Sequence, residues 1–362
     1  MTQPQSPSPD TISLNPRILL TGGSGFLGKA IARELLSENS PLKPALIRIF
    51  DRIPYPETDQ NRIEFMKGDI CDMQAVSKAC RDIDLIIHSA AIVDWGTKPE
   101  QEVLATNVQG TANLLTACKE NGVRFFVYTS SLDAIFGGTS LVNIDETIPY
   151  PEKHPNMYCR SKYLSEQLVL EANSRQLSAC ILRPADIYGE GDPFHISSLI
   201  NMAKGGFYVR LGDGSSLSQH VYSGNMAWAH VLAAHALLTG NQRIKGNAYF
   251  ITDGPPANFF KFFDRIVMES GYRIWPSNIW IPRRLAFLMG ALSEGFAFLL
   301  RPVKKYTPKF SRFAVIYTCS DFTFSSAKAK SDFNFIPKYS KEEALARTVE
   351  FYKKRPSSQA AF

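Results

Sequence analysis

Arg17-Ile-Leu-Leu-Thr-Gly-Gly-Ser-Gly-Phe-Leu-Gly28 is the stretch from which the rest of the chain can be read. Ile18, Leu19 and Leu20 form an apolar run long enough for a buried strand. Gly22, Gly23, Gly25 and Gly28 then crowd one turn, and Phe26, Leu27, Ala30, Ile31, Leu35 and Leu36 follow at helical spacing. In such a strand–turn–helix the glycines let backbone approach a pyrophosphate. The helix start offers free N–H groups and the positive end of its dipole. The spacing is Gly-x-x-Gly-x-x-Gly rather than Gly-x-Gly-x-x-Gly, and the strand before and the helix after supply the context the motif needs. Gly22, Gly25 and Gly28, with Phe26 and Leu27 at the helix start, are therefore the expected phosphate cradle.

Reading outward, Ala45–Phe50 is a second strand that ends at Asp51, 23 residues after Gly28. An acidic residue there accepts hydrogen bonds from ribose hydroxyls and repels a 2′-phosphate, which favours NAD over NADP. Arg52 beside it could accommodate that phosphate and tempers the preference. Further strands are expected at Ile63–Lys67, Asp84–His88, Arg124–Tyr128 and Ala179–Leu182. Helices are expected at Asp72–Arg81, Glu100–Asn121 and Asn156–Arg175. This alternation predicts an α/β fold, a Rossmann-like, doubly wound parallel sheet. Ser89-Ala90-Ala91 follows the fourth strand, and residues that small leave room for a cofactor across the sheet edge. Past the Gly/Pro-rich segment 188–193 the alternation breaks. Asn225–Leu238 then reads as a helix, and Asn247–Ile251 as a strand returning to the sheet. The expected division is a disordered tail at 1–15 and a dinucleotide-binding domain at 16–190 with return elements at 221–252. Residues 191–220 and 253–362 would form a smaller, mixed substrate-binding domain.

The 362 residues are 44% hydrophobic, enough for a sizeable core. The net charge of +6 is dispersed, which argues against nucleic acid as a partner. Six cysteines show no Cys-x-x-Cys and no pairing with histidine, so reduced thiols in a cytoplasmic protein and no metal are expected. No run reaches 18 apolar residues, so no spanning helix is predicted. The segment 285–300 is apolar apart from Ser293 and Glu294 and is flanked by Arg283, Arg284 and Arg301. At about 24 Å it is short against a bilayer core of about 30 Å. Its composition fits either an interfacial helix with basic anchors or a buried helix closing the substrate domain.

Tyr158 and Lys162 lie four apart, on one face of a helix. A lysine ammonium near a phenol favours the phenolate, which lets the tyrosine exchange a proton with a substrate oxygen near neutral pH. Ser131, or its neighbour Ser130, could hold the same oxygen. Hydride transfer from an alcohol carbon needs such a set, because the hydroxyl must lose its proton as hydride leaves. His230, on an apolar helix, reads as a satisfied core histidine.

Taken together, the glycine turn, Tyr128-Thr-Ser-Ser131, Tyr158-x-x-x-Lys162 and Leu182-Arg-Pro184 resemble the extended short-chain dehydrogenase/reductase superfamily. Ile181–Pro193 and His220–Ala234 are similar to the 3β-hydroxysteroid dehydrogenase/isomerase family, including its branch of sterol-4-carboxylate 3-dehydrogenases. The resemblance covers about residues 16–252. It implies Tyr158 as acid/base, Lys162 as its partner and a ribose ligand, and Ser131 as the hydroxyl on the substrate oxygen. It further implies Asp51 on the ribose, Asp69 with Ile70 on the adenine, and Pro184 beside the nicotinamide. The activity implied is NAD-dependent oxidation of a 3β-hydroxyl on a steroid- or sterol-like substrate. With a 4-carboxyl group present, the β-keto acid formed could then lose carbon dioxide. The substrate implied is a lipid-like small molecule; a membrane surface touched through 283–301, from the composition of that segment, and a second copy of the chain are the other partners considered. Two rivals use the same residues differently: a nucleotide-sugar epimerase or dehydratase that retains its cofactor, and a cofactor-binding regulator without turnover.

Overall fold

The computed structural model describes residues 15–56, 61–300 and 311–353. The expected tail lies, but for Asn15, outside the described residues. Seven strands form the main sheet: β1 (Arg17–Thr21), β2 (Leu46–Asp51), β3 (Ile63–Lys67), β4 (Leu85–His88), β5 (Phe125–Thr129), β6 (Ser178–Pro184) and β7 (Asn247–Ile251). All pairings are parallel, in the order β7-β6-β5-β4-β1-β2-β3. The chain runs from β1 towards β2 on one side and resumes at β4 on the other. The crevice between β1 and β4 is thus the switch point where this class of sheet binds ligands. Asn247–Ile251 does return to the sheet, as its edge strand on β6.

The apolar runs are continuous because both sheet faces are covered. Ile18 and Leu20 enter one core, with Leu27, Ile31 and Leu35 of the helix Phe26–Leu36 and Met226 of the helix Ser223–Leu238. Leu19, between them, enters the opposite core with Val76, Leu114 and Val169. A third core gathers the helices Ile196–Lys204, Phe259–Glu269 and Lys341–Lys353 around Phe263, Ile266 and Leu345.

The helix expected over 100–121 is interrupted. Glu100–Leu104 and Gly110–Asn121 are joined by one wider turn of π type at Ala105–Gln109. That turn points Asn107 inwards. Its amide donates to the Ile92 carbonyl and to Ser161 Oγ, both at 2.9 Å, and accepts from the Ile92 N–H at 2.8 Å. The extra backbone residue thereby ties the loop after β4 to the helix Met157–Ala172.

The helix Arg283–Leu300 is not buried. Ala286 and Ala297 are covered, and Gly290 lies against the backbone of Arg312, whereas Leu285, Phe287, Leu288, Met289, Leu292, Phe296 and Leu299 are exposed. Of the two readings of this segment, the buried closing helix is therefore corrected: one face meets the helix Arg312–Thr318, and Leu285, Leu288, Leu292 and Leu299 on the apolar face are more than half exposed. Among the described residues no helix is long and apolar enough to cross a membrane.

Candidate active site

The glycine turn sits at the C-terminal end of β1. Gly22 has φ +69°, and a Cβ on it would come within 2.7 Å of the Ala90 backbone. A Cβ on Gly28 would lie 2.1 Å from the Gly22 carbonyl oxygen. No side chain caps the helix that starts at Phe26, and its first turn carries no acid. Its leading N–H groups are therefore available to an anion. Asp51 supports the turn, accepting the Ser24 N–H and the Ile53 N–H, each at 3.1 Å. Arg52 leans towards Asp69 at 3.7 Å. Ile70 is buried, and its carbonyl accepts from Asn113.

A cavity of about 400 Å³ runs from this turn across the sheet edge. Gly22, Gly25, Phe26, Leu27, Gly28, Asp51, Asp69 and Ile70 line one end, and Ser131, Tyr158, Lys162 and Pro184 line its middle. Residues spread over 163 positions of sequence thus share one wall-to-wall space.

The helix Met157–Ala172 presents Tyr158 and Lys162. Asn156 caps it, its side chain accepting the Cys159 N–H at 2.8 Å. The buried ion pair of Arg183 with Glu166, 2.7 Å apart, pins it to β6. Arg183 also bonds Tyr150, which in turn donates to Glu166. Lys162 is buried and donates to the Thr129 carbonyl at 2.9 Å. Burial brings it down to about 8, with Glu166 and Asp133 opposing.

One expectation about this pair is corrected. The Tyr158 phenol is not lowered: burial, then the nearby Asp133 carboxylate, push it well above its ordinary value, against the Ser131 hydroxyl. The physical reason is orientation. The Lys162 ammonium faces the Thr129 carbonyl and the Tyr128 ring, so desolvation of Tyr158 dominates. Ser131 donates to Asp133 Oδ2 at 2.6 Å, and burial with the Asp186 charge raises Asp133 to about 6, although the Ser131 bond opposes this. The Ser130 hydroxyl, also on the cavity wall, is buried without a partner.

Asp133 and the far end of the cavity escaped sequence reasoning. There Trp95 meets Tyr317 and Phe313 edge-on, with ring centres 5.1 Å and 5.9 Å away. Tyr317 donates to Asp186 at 2.6 Å. His195 lies 3.5 Å from Asp192 and 3.9 Å from Asp186. Burial opposes its charge, but the two carboxylates raise it to about 9. Only the Gly/Pro-rich segment 188–193 hinted at this end. His230, by contrast, is a core residue as expected, 2.7 Å from Thr129 Oγ1 and 2.8 Å from the Met226 carbonyl, and burial lowers it to about 4.

With the geometry in place, comparison with known proteins decides the family. Residues 19–282, well over half of the chain, match the 3-beta hydroxysteroid dehydrogenase/isomerase family. The chain belongs to that family. It is 34% identical over 351 residues to human 3 beta-hydroxysteroid dehydrogenase type 7, covering 91% of this chain and 94% of the relative. As a member of the family the protein is an enzyme, an oxidoreductase of the short-chain dehydrogenase/reductase superfamily. Among solved structures it resembles a dTDP-glucose 4,6-dehydratase of Streptomyces venezuelae with NAD bound. The TM-score is 0.72 at 23% identity, over 94% of this chain and 97% of that one. It also resembles a UDP-glucose 4-epimerase of Thermotoga maritima with UDP-glucose, with TM-score 0.69 at 21% identity over 93% and 99%. These two likenesses bear on the fold alone.

Proposed function

We propose that the family member described here oxidises the 3β-hydroxyl of a steroid- or sterol-like substrate to a ketone, with NAD as hydride acceptor. The observation that carries this is a single cavity in which Ser131, Tyr158 and Lys162 lie between the glycine turn and an aromatic wall of Trp95, Phe313 and Tyr317. The wall suits a flat apolar ring system better than a sugar nucleotide.

The residues fit the cofactor. The turn admits no Cβ at Gly28 or Gly22, and the uncapped helix start would hold the pyrophosphate. Asp51 keeps lone pairs for ribose hydroxyls, Asp69 and Ile70 would border the adenine, and Pro184 the nicotinamide. Arg52, drawn towards Asp69, is turned to a carboxylate rather than to a 2′-phosphate, which favours NAD over NADP. When bound, NAD supplies the hydride acceptor. Tyr158 takes the carbinol proton, a role that needs the Lys162 ammonium turned from the Thr129 carbonyl towards the phenol, and Ser131 orients the substrate oxygen. In this reading residues 16–190 and 221–252 carry the cofactor, and 191–220 with 253–362 form the substrate-binding part.

The exposed apolar face of Arg283–Leu300, with Arg283 and Arg284 at its start, fits the interfacial zone of an anionic membrane from which such a substrate is drawn.

The test is NADH release by the purified chain with NAD and a panel of 3β-hydroxysteroids, 4-carboxysterols and nucleotide sugars. NADH release with a steroid that vanishes in Tyr158→Phe is expected. Conversion of a nucleotide sugar without free NADH would replace this reading by the epimerase. Loss of vesicle binding in Leu292→Asp, with activity on a dispersed substrate kept, would support the membrane contact; no binding by the unaltered chain would exclude it.

A further inference from the structure

The helix Arg312–Thr318 works on two sides. Towards the cavity it carries Phe313 and Tyr317, whose rings stand against Trp95, and Tyr317 also donates to Asp186 at 2.6 Å. Its other side meets the helix Arg283–Leu300. Seven residues are too few to stay helical without outside partners. Its start is fixed twice. Ser311 accepts the Ala314 N–H at 3.2 Å, and its hydroxyl donates to the Trp95 carbonyl at 3.3 Å. Glu294 accepts the Arg312 N–H and the Arg312 Nε–H, both at 2.7 Å. A carboxylate in that place also meets the positive end of the helix dipole.

Glu294 and Gly290 are four apart, on one face of their own helix. A Cβ on Gly290 would come within 2.9 Å of the Arg312 nitrogen, so the two helices touch backbone to backbone there. Ala286 and Ala297 continue this covered face. The opposite face holds Leu285, Leu288, Leu292 and Leu299, more than half exposed, behind Arg283 and Arg284. Such a face is unsupported in water and is buried when the helix lies in a membrane interface. One helix therefore joins the surface that would meet a membrane to the wall that would meet the substrate.

We propose that Glu294 is a positioning residue which, with Gly290, fastens the helix Arg312–Thr318 to the helix Arg283–Leu300, so that membrane contact of the one steadies the substrate wall carried by the other. The inference rests on the steroid and membrane readings above and adds that the two are coupled. Phe313 and Tyr317 take their best placement when the leucine face is covered by lipid. Coupling of this kind is reciprocal: by whatever factor the membrane raises affinity for the steroid, the steroid raises affinity for the membrane.

The experiment measures that reciprocal factor. The full chain with NADH is floated on phosphatidylcholine vesicles containing phosphatidylserine, with and without saturating 5α-androstan-3β-ol. An alcohol and NADH do not react with each other, so binding alone is read. The expected result is a vesicle affinity about ten-fold higher with the steroid. Glu294→Ala should still float and still bind NADH, and the steroid should no longer change its vesicle affinity. Any effect of the steroid on the lipid itself is common to both proteins and would persist. Glu294→Gln, which keeps an acceptor for the Arg312 N–H but loses the charge, should show a smaller factor than the unaltered chain; should Glu294→Ala fail to fold, an undiminished factor in Glu294→Gln counts against the proposal. No steroid effect on the unaltered chain, or the full effect in Glu294→Ala, overturns the coupling and leaves the dehydrogenase and membrane readings standing. Absence of vesicle binding by the unaltered chain overturns the membrane reading as well, and absence of steroid binding in calorimetry overturns the steroid reading. A residue that merely supported the fold would weaken NADH binding and flotation together and leave the ten-fold factor unchanged.

Discussion

The two ends of the cavity are built by different means. At the end proposed for the cofactor much of the wall is backbone or small side chains: Gly22, Gly25 and Gly28, with Ser89, Ala90 and Ala91 across the crevice. At the far end it is side chain: Trp95, Asp186, His195, Phe313 and Tyr317, brought in from separate segments. A wall of backbone tolerates no added atom, because its neighbours cannot rotate away. A wall of side chains can be altered one group at a time without touching the sheet. Specificity can therefore change at one end while cofactor binding at the other is kept.

The sharpest attack on this contrast is Gly28→Ala. The new Cβ would stand 2.1 Å from a carbonyl oxygen, and relief requires the turn itself to move. Cofactor binding should be lost, with stability reduced by about 3 kcal/mol, read by calorimetry and thermal melting. Unchanged NAD affinity would break the comparison. Tyr158→Phe, between the two ends, should lower kcat by about 10²- to 10⁴-fold with NAD affinity retained. Loss of both would place the tyrosine with the cofactor wall instead. Trp95→Ala, at the far end, should raise KM for the steroid about ten-fold, a change of about 1.4 kcal/mol, and leave the NAD dissociation constant unaltered.

The smallest effect is on stability against pH. Asp133 titrates at about 6 in the fold, against about 3.9 for a free aspartate. Between those values the folded chain binds more protons than the unfolded one, so this carboxyl lowers stability as pH rises through the window. Thermal melts should show Asp133→Asn gaining on the unaltered protein from pH 4 to pH 8, by at most about 3 kcal/mol. A constant difference across that range would mean that Asp133 is not desolvated as the structure has it.

How far each end was legible follows from the same contrast. The cofactor end is local: Ile18 to Gly28 is one strand, one turn and one helix start. Asp51 and Pro184 are the last residues of β2 and β6, and Asp69 stands two residues after β3, at strand ends that a parallel sheet collects on one edge. Tyr158 and Lys162 share a helix face by their spacing alone. The far end is not local. Trp95 and Tyr317 are far apart in sequence and meet only because the helix Arg312–Thr318 packs over the loop after β4. Nothing in Ser131-Leu132-Asp133 announces that the Asp133 carboxyl is buried.

By itself, then, the sequence determined the strands of the main sheet, the glycine turn after β1 and the shared helix face of Tyr158 and Lys162. Each depends on hydrogen bonds and side-chain periodicities a few residues long. Only the tertiary structure decided what surrounds these side chains. The raised Tyr158 phenol, the lysine turned to Thr129 and the Ser131 proton held by Asp133 all arise from burial and through-space charge. Those depend on which groups are neighbours in three dimensions, and spacing along the chain does not encode them.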